Sequence, residues 1–184
     1  MSTKIKVTES LSLAGSKYRA NEDTYGSNAH CAFVIDGATG LGDCQQLQDE
    51  ASDAAWLANH AKLHFENHLR EDSSVRSVVA DWSQKARKTF FDRAPQQDIP
   101  RFAWPTASFA LLCGTDGKLT FVGLGDCTLL VQSRTGIQAL NPLKDFAAVE
   151  TDYAARHLQK SGGFGQQNNL LSDPETLVTL RRPL

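Results

Sequence analysis

The sequence predicts an antiparallel α+β fold, because two strand-rich regions enclose a pair of long amphipathic helices. Short apolar runs separated by turn residues fill the N-terminal region and recur over residues 106–140. Between these regions, apolar residues repeat at helical spacing over residues 47–69 and 75–90. Strands and helices in separate blocks do not form alternating βαβ units, so the pattern favours layers of antiparallel sheet and helix.

The bulk composition is that of an ordinary globular domain. With 184 residues, of which 41% are hydrophobic and 22% charged, the chain is long enough for one domain with a substantial core. A formal net charge of -2 gives no electrostatic basis for binding nucleic acid or an anionic membrane surface. The N-terminus lacks a signal-peptide apolar core, and no apolar run reaches the ~20 residues that span a bilayer. We therefore expect a single cytoplasmic domain, residues 1–184, that binds neither nucleic acid nor membrane.

The N-terminal region is predicted to hold a first strand followed by a hairpin. Residues 4–13 alternate apolar and polar side chains, which is typical of a half-buried strand. Residues 19–23 and the apolar run 32–35 would then form two strands, joined by a turn at residues 26–29. Asp36-Gly37 ends the second strand abruptly, so that this strand presents a carboxylate at its end.

Acidic residues on this hairpin predict a divalent-cation site. If the hairpin is centred near Ala29, Glu22 falls opposite Asp36 on the same face, while Asp23 points the other way. A shift of one residue would put Asp23 in the place of Glu22. Like charges directly opposite one another are destabilising unless a positive group lies between them. A divalent cation bound by hard oxygen ligands is the simplest group that would do so.

Turn signals divide the second half of the chain. Asp116-Gly117 between two apolar runs is a strong hairpin signal. Residues 134–136, with the sequence Arg-Thr-Gly, predict another turn between two short strands. Residues 144–160 are predicted as a third helix, and residues 173–184 hold one short strand at most.

The helical block and the cysteines are predicted to be structural. The second helix begins after a cap at Ser73 or Ser74. His60, His64 and His68 recur at every fourth position of the first helix, without an HExxH pattern, and we expect them on a partly exposed face. The cysteines have no paired CxxC spacing, so we expect reduced, mostly buried thiols with no disulfide partner. They are Cys31, Cys44, Cys113 and Cys127.

Four short motifs, taken in order, resemble those of the metal-dependent protein phosphatases of type 2C, and the bacterial members most closely. The motifs are Asn21-Glu22-Asp23, the strand ending in Asp36-Gly37, Pro105-Thr106-Ala107-Ser108 leading into a hairpin, and Gly125-Asp126-Cys127. The resemblance covers roughly residues 5–140, with the two helices between the second and third motifs. It implies an antiparallel β-sandwich flanked by helices, in αββα layers, with two Mn²⁺ or Mg²⁺ ions at one edge.

The resemblance also implies roles for individual residues. Asp36 would bridge both metal ions, while Glu22 and the Gly37 carbonyl would hold one of them. Asp126 would lie near the site or bind a weaker third ion. Asp23 would lie behind these ligands without touching an ion.

The implied activity is hydrolysis of phosphoserine or phosphothreonine in a phosphorylated protein substrate by a metal-activated water. Arg19 would bind the phosphate, although it stands three residues before Glu22 where the family has four. The family draws further metal-binding aspartates from later strands, and we expect this chain to lack that C-terminal part. Asp173 lies in a faint counterpart of one such motif. Two alternatives stay open: a catalytically weak or inactive phosphatase-like module that binds or regulates a partner, and a structural protein with a fortuitous acidic hairpin.

Overall fold

The structure is a computed structural model, and it describes residues 4–41, 44–95, 98–115, 117–143 and 155. Residues 1–141 form one compact unit and residues 142–184 a second. The predicted third helix and the last predicted strand, with Asp173, lie outside the described residues except for Ala155, which is helical. The single domain over residues 1–184 stays a prediction.

The order of the elements confirms the α+β class. In chain order they are β1 (Asp23–Ser27), β2 (Cys31–Ala38), α1 (Asp53–His68), α2 (Val75–Arg93), a 3₁₀ turn (Arg101–Ala103), β3 (Thr106–Thr115), β4 (Lys118–Leu124), β5 (Leu129–Ser133) and β6 (Gly136–Leu140). The first four strands form one antiparallel sheet in the order β1-β2-β3-β4, and β5 pairs with β6 in a separate two-stranded sheet. Within the described part of the chain, no helix is long and apolar enough to span a membrane.

Both helices begin at serine caps. Ser52 accepts a hydrogen bond from the Ala55 N–H at 3.0 Å, and Ser74 caps α2, as predicted. α1 starts later than the apolar pattern indicates, because the Asp53 carboxylate binds the backbone N–H groups of residues 46–47 at 2.9 and 2.8 Å. These bonds fold the segment before the helix into a turn instead of a first helical turn.

The core lies between the helices and one face of the four-stranded sheet. Phe65 of α1 is fully buried, with its ring edge-on to those of Phe33, Trp82 and Phe109 at centroid distances of 5.5, 5.4 and 5.9 Å. Alternate residues of β2, starting with Cys31, are buried on this side, and the residues between them point to the other face. The carboxylate at the end of β2 therefore lies on the face away from the helices.

The prediction of a first strand over residues 4–13 is wrong. These residues form no regular element, and Leu11 and Leu13 are 80% and 71% exposed. Val7 and Leu11 instead line a groove of about 290 Å³ on the sheet face away from the helices. Alternating polarity predicts a strand only when a neighbouring strand is free to pair with it, and this segment lies over the sheet face.

Candidate functional site

The β1–β2 hairpin places Asp23, not Glu22, opposite Asp36. The pairing extends one residue beyond β1, because the Asn28 N–H donates to the carbonyl of the first residue of β2 at 2.9 Å, so that only residues 29–30 remain in the loop. Asn28 Oδ1 closes this loop by accepting the N–H groups of the second loop residue and of the first residue of β2, at 2.8 and 3.0 Å. This short loop moves the centre of the hairpin toward the C-terminus and shifts the pairing by one residue. The predicted register was therefore wrong, and the shifted register is the one that the chain adopts.

Asp23 and Asp36 form a non-hydrogen-bonded pair. The Gly37 N–H donates to the Glu22 carbonyl at 3.2 Å, which makes residues 22 and 37 the adjacent hydrogen-bonded pair. Non-hydrogen-bonded pairs of an antiparallel sheet bring opposite side chains closest, with Cα atoms ~4.5 Å apart. The hairpin thus holds two carboxyl groups side by side on one face of the sheet.

The electrostatic consequence appears in the pKa of Asp36. Partial removal from water raises this pKa, and the charge of Asp23 and a hydrogen bond with it raise it further. The charges of Asp126 and Glu22 contribute in the same direction. Four carboxyl groups are therefore near enough to interact at one end of the sheet, where a proton or a cation would relieve their repulsion.

Asp126 reaches this end of the sheet because Gly125 packs against Ser108. Ser108 lies opposite Asp36 in the register of β2 and β3. Gly125 has φ +78°, and a Cβ atom there would overlap the Ser108 side chain. Glycine alone adopts this left-handed conformation freely and allows so close a contact. Asp126 follows in the same turn, with its side chain exposed and its carbonyl accepting a hydrogen bond from Asn141 Nδ2 at 3.2 Å.

The half-buried Glu22 carboxylate binds the N-terminus of α1. Its Oε1 atom accepts hydrogen bonds from Thr39 Oγ1 and Ser52 Oγ, both at 2.6 Å. Ser52 is also the cap of α1, so one carboxylate links the start of β1, the end of β2 and the first turn of the helix. Sequence reasoning missed Thr39 and Ser52, because hydroxyl groups that bond across 17 and 30 residues leave no local pattern.

Gly37 is a point of close backbone packing at this end of the sheet. A Cβ atom at this position would lie 2.6 Å from the Glu22 carbonyl oxygen and 2.9 Å from the Ala54 carbonyl oxygen. The buried backbone of β2 thus packs directly on the backbone of β1 and of α1, and only glycine permits this approach. The role of the Gly37 carbonyl as a metal ligand stays a prediction.

Arg19 lies in the turn that precedes β1. Its side chain is exposed, and its backbone N–H donates to the Ser16 carbonyl at 3.4 Å. It stands three residues before Glu22 and four before Asp23, the residue that pairs with Asp36. Binding of phosphate by Arg19 stays a prediction.

Cys127 is a further residue near Asp36 and Asp126 that sequence reasoning did not assign to the site. Burial raises the pKa of the Cys127 thiol to about 11, and the negative charges of Asp36 and Asp126 contribute to this rise. The thiol is therefore protonated at neutral pH. Its position directly after Gly125-Asp126 is the one sequence signal that would have indicated it.

The oxygen donors of this cluster suit a hard divalent cation. Among the residues that the structure describes, no group of three or more His, Cys, Asp or Glu side chains is arranged to hold a metal ion. Asp23 and Asp36 offer two neighbouring carboxylates, and Mg²⁺ is commonly held by one or two carboxylates together with waters and substrate phosphates. The donor set therefore fits an open site, in which water and substrate complete the coordination, and does not fit an enclosed one.

Comparisons with known proteins give one distant structural likeness. No family model and no curated protein matches the sequence. The fold is similar to that of the Mycobacterium tuberculosis serine/threonine phosphatase PstP/Ppp, with a TM-score of 0.46 and 12% sequence identity. The match covers 77% of this chain and 52% of the phosphatase chain, so this chain spans about half the length of that structure. At this distance the likeness assigns neither an activity nor a ligand to the chain.

Proposed function

We propose that this chain is the core of a divalent-cation-dependent phosphatase that hydrolyses phosphoserine or phosphothreonine in proteins. The observation that carries the proposal is the direct pairing of Asp23 with Asp36, with the charge of Asp126 close enough to raise the pKa of Asp36. Two carboxylates held side by side are unfavourable by themselves and become favourable when a cation lies between them. The order of the sequence motifs, which resembles that of the type 2C phosphatases, supports the choice of reaction.

The register changes which residue is the partner of Asp36. The motif resemblance gave a metal-binding role to Glu22 and placed Asp23 behind it, whereas the hairpin pairs Asp23 with Asp36 and ties Glu22 Oε1 to two hydroxyl groups. We therefore propose Asp36 and Asp23 as the primary metal ligands. Arg19 precedes Asp23 by four residues, the spacing of the family's phosphate-binding arginine, and we propose the same role for it.

The remaining residues hold the site in shape. Glu22 keeps the ends of β1 and β2 together through its bonds to Thr39 and Ser52. Gly125 keeps Asp126 beside β3 by packing on Ser108. Divalent cations bound at such a site lower the pKa of a coordinated water and offset the negative charge of the phosphoryl group.

The test is a titration of the protein with Mn²⁺, in which hydrolysis of p-nitrophenyl phosphate and of a phosphothreonine peptide is followed. We expect activity that saturates with Mn²⁺ and is lost in Asp36→Asn. Asp72→Asn, which changes an exposed aspartate in the turn between α1 and α2, is the matched control and should retain full activity. Hydrolysis that responds neither to Mn²⁺ nor to Asp36→Asn would remove the metal mechanism.

One observation favours a second function. The described residues offer two neighbouring carboxylates but no group of three or more donors around one point. A phosphatase-like module that binds a phosphoprotein or regulates a partner without catalysis needs no more than this. Binding of Mn²⁺ in the same titration, without hydrolysis of either substrate, would support this second function over the first.

A further inference from the structure

Two cysteines face each other across the central strands of the sheet. Cys31 of β2 is directly opposite Cys113 of β3. The Gly114 N–H donates to the His30 carbonyl at 2.8 Å, and this bond marks Cys31 and Cys113 as a non-hydrogen-bonded pair. Cα atoms of such pairs lie ~4.5 Å apart, within the 4.4–6.8 Å that disulfide bonds span. The backbone therefore already has the spacing of a cross-strand disulfide.

The side chains of both cysteines lie on the same face of the sheet. Cys31 and Cys113 are 0% and 4% exposed, and both belong to the core on the side of the helices. Both are free thiols. Burial raises the pKa of Cys113 to about 12, and the charge of Cys31 adds to the rise, as expected for two neighbouring sulfur atoms. The two thiols thus have a common orientation as well as a suitable backbone spacing.

We propose that Cys31 and Cys113 form an oxidative modification site, at which a small disulfide oxidant of the glutathione class produces a cross-strand disulfide bond. The thiolate of one cysteine attacks a sulfur of the oxidant, so that a mixed disulfide forms and one oxidant thiol leaves. The thiolate of the second cysteine then attacks the protein sulfur of the mixed disulfide and releases the other oxidant thiol. The protein loses two electrons and two protons, which the two released thiols carry away.

Cys31 is the residue that reacts first. It is the first residue of β2, directly after the two-residue loop, so that a small opening at the end of the strand exposes it. Cys113 lies toward the end of β3, and the pairing of β2 with β3 brings it close to Cys31. The exposed Cys44 and the partly exposed Cys127 provide an internal comparison, since exposure alone would favour them over the buried pair.

The proposal is tested on the full chain with oxidised glutathione. After incubation, free thiols are alkylated in denaturant, and the linked peptides are identified by mass spectrometry without reduction. We expect a Cys31–Cys113 linked peptide pair and a mass loss of two hydrogen atoms, both reversed by dithiothreitol. The double variant with Cys44→Ser and Cys127→Ser keeps only the buried pair, and it should form the same link.

Single substitutions separate the two steps. In Cys113→Ser the second step has no thiol, and we expect the reaction to stop at a glutathione adduct on Cys31. In Cys31→Ser the adduct on Cys113 should form more slowly. Alkylation of Cys31 and Cys113 to the same extent before and after oxidation, with adducts only on Cys44 and Cys127, would overturn the proposal. A link between Cys31 and any cysteine other than Cys113 would also overturn it.

Discussion

The pairing of Asp23 with Asp36 makes a quantitative prediction about stability. Asp23→Asn removes one of the two facing negative charges and keeps the size of the side chain. Like charges directly opposite one another in a sheet destabilise it by up to about 1 kcal/mol. Coulomb's law gives the same order, about 1 kcal/mol for two charges ~4 Å apart in water, and both side chains are exposed to water. Without divalent cations, we expect Asp23→Asn to raise the free energy of unfolding by about 0.5–1 kcal/mol.

In the presence of divalent cations, the unaltered chain should instead be more stable than Asp23→Asn. A cation present at 100 times its dissociation constant stabilises the folded protein by about 2.7 kcal/mol, and Asp23→Asn removes one of its two ligands. The assay is urea denaturation at low salt, in EDTA and in Mn²⁺, with Asp72→Asn as the control that should behave as the unaltered chain. A metal-free Asp23→Asn protein less stable than the parent, or equal stabilisation of both by Mn²⁺, would refute the reasoning.

Three further predictions concern the core, the turn beside the site and pH. Phe65→Ala should lower the free energy of unfolding by about 3–5 kcal/mol, measured in urea, because it removes a fully buried ring; a small loss would contradict the packing. Gly125→Ala should lower the free energy of unfolding by more than about 1 kcal/mol, because φ at this position is +78°. Gly15→Ala, in open space, should change it little, and equal thermal midpoints of the two variants would refute this prediction. Burial and the charge of His68 lower the pKa of His64, so the unfolded chain binds the proton more tightly. The free energy of unfolding should therefore stay constant above pH ~6.5 and decrease below it. His64→Gln removes the titrating group, so a urea midpoint that falls with decreasing pH as much in this variant as in the unaltered chain would contradict the prediction.

Elements with a local cause could be predicted from the sequence. The turns before β4 and β6 were expected at glycines, and Gly117 and Gly136 have φ +77° and +131°, which favour glycine. Ser74 caps α2 as expected. The apolar residues at helical spacing in α1 lie on its buried face, as expected, because helical periodicity is a property of neighbouring residues in the sequence. His64, however, is buried against α2, with Nε2 3.3 Å from Asp81 Oδ2.

Features that depend on distant partners could not be predicted. The register of the hairpin depends on whether Asn28 closes a loop of two residues, and the turn composition alone does not decide this. The start of α1 depends on Asp53, which binds backbone groups six and seven residues earlier. Within the candidate site, the acidic residues were visible in the sequence, but the bonds that hold Glu22 to Thr39 and Ser52 were not.

The order of strands along the chain has a consequence for folding kinetics. The β1–β2 and β3–β4 hairpins are local and form within microseconds, whereas pairing β2 with β3 closes a loop of about 70 residues that contains both helices. This central pairing is therefore the slow step, while the contact of Gly125 with Ser108 lies at the end of the β3–β4 ladder and forms with that local hairpin. The turn that carries Asp126 thus forms with its own hairpin, and the central pairing sets how quickly that turn is brought to Asp36.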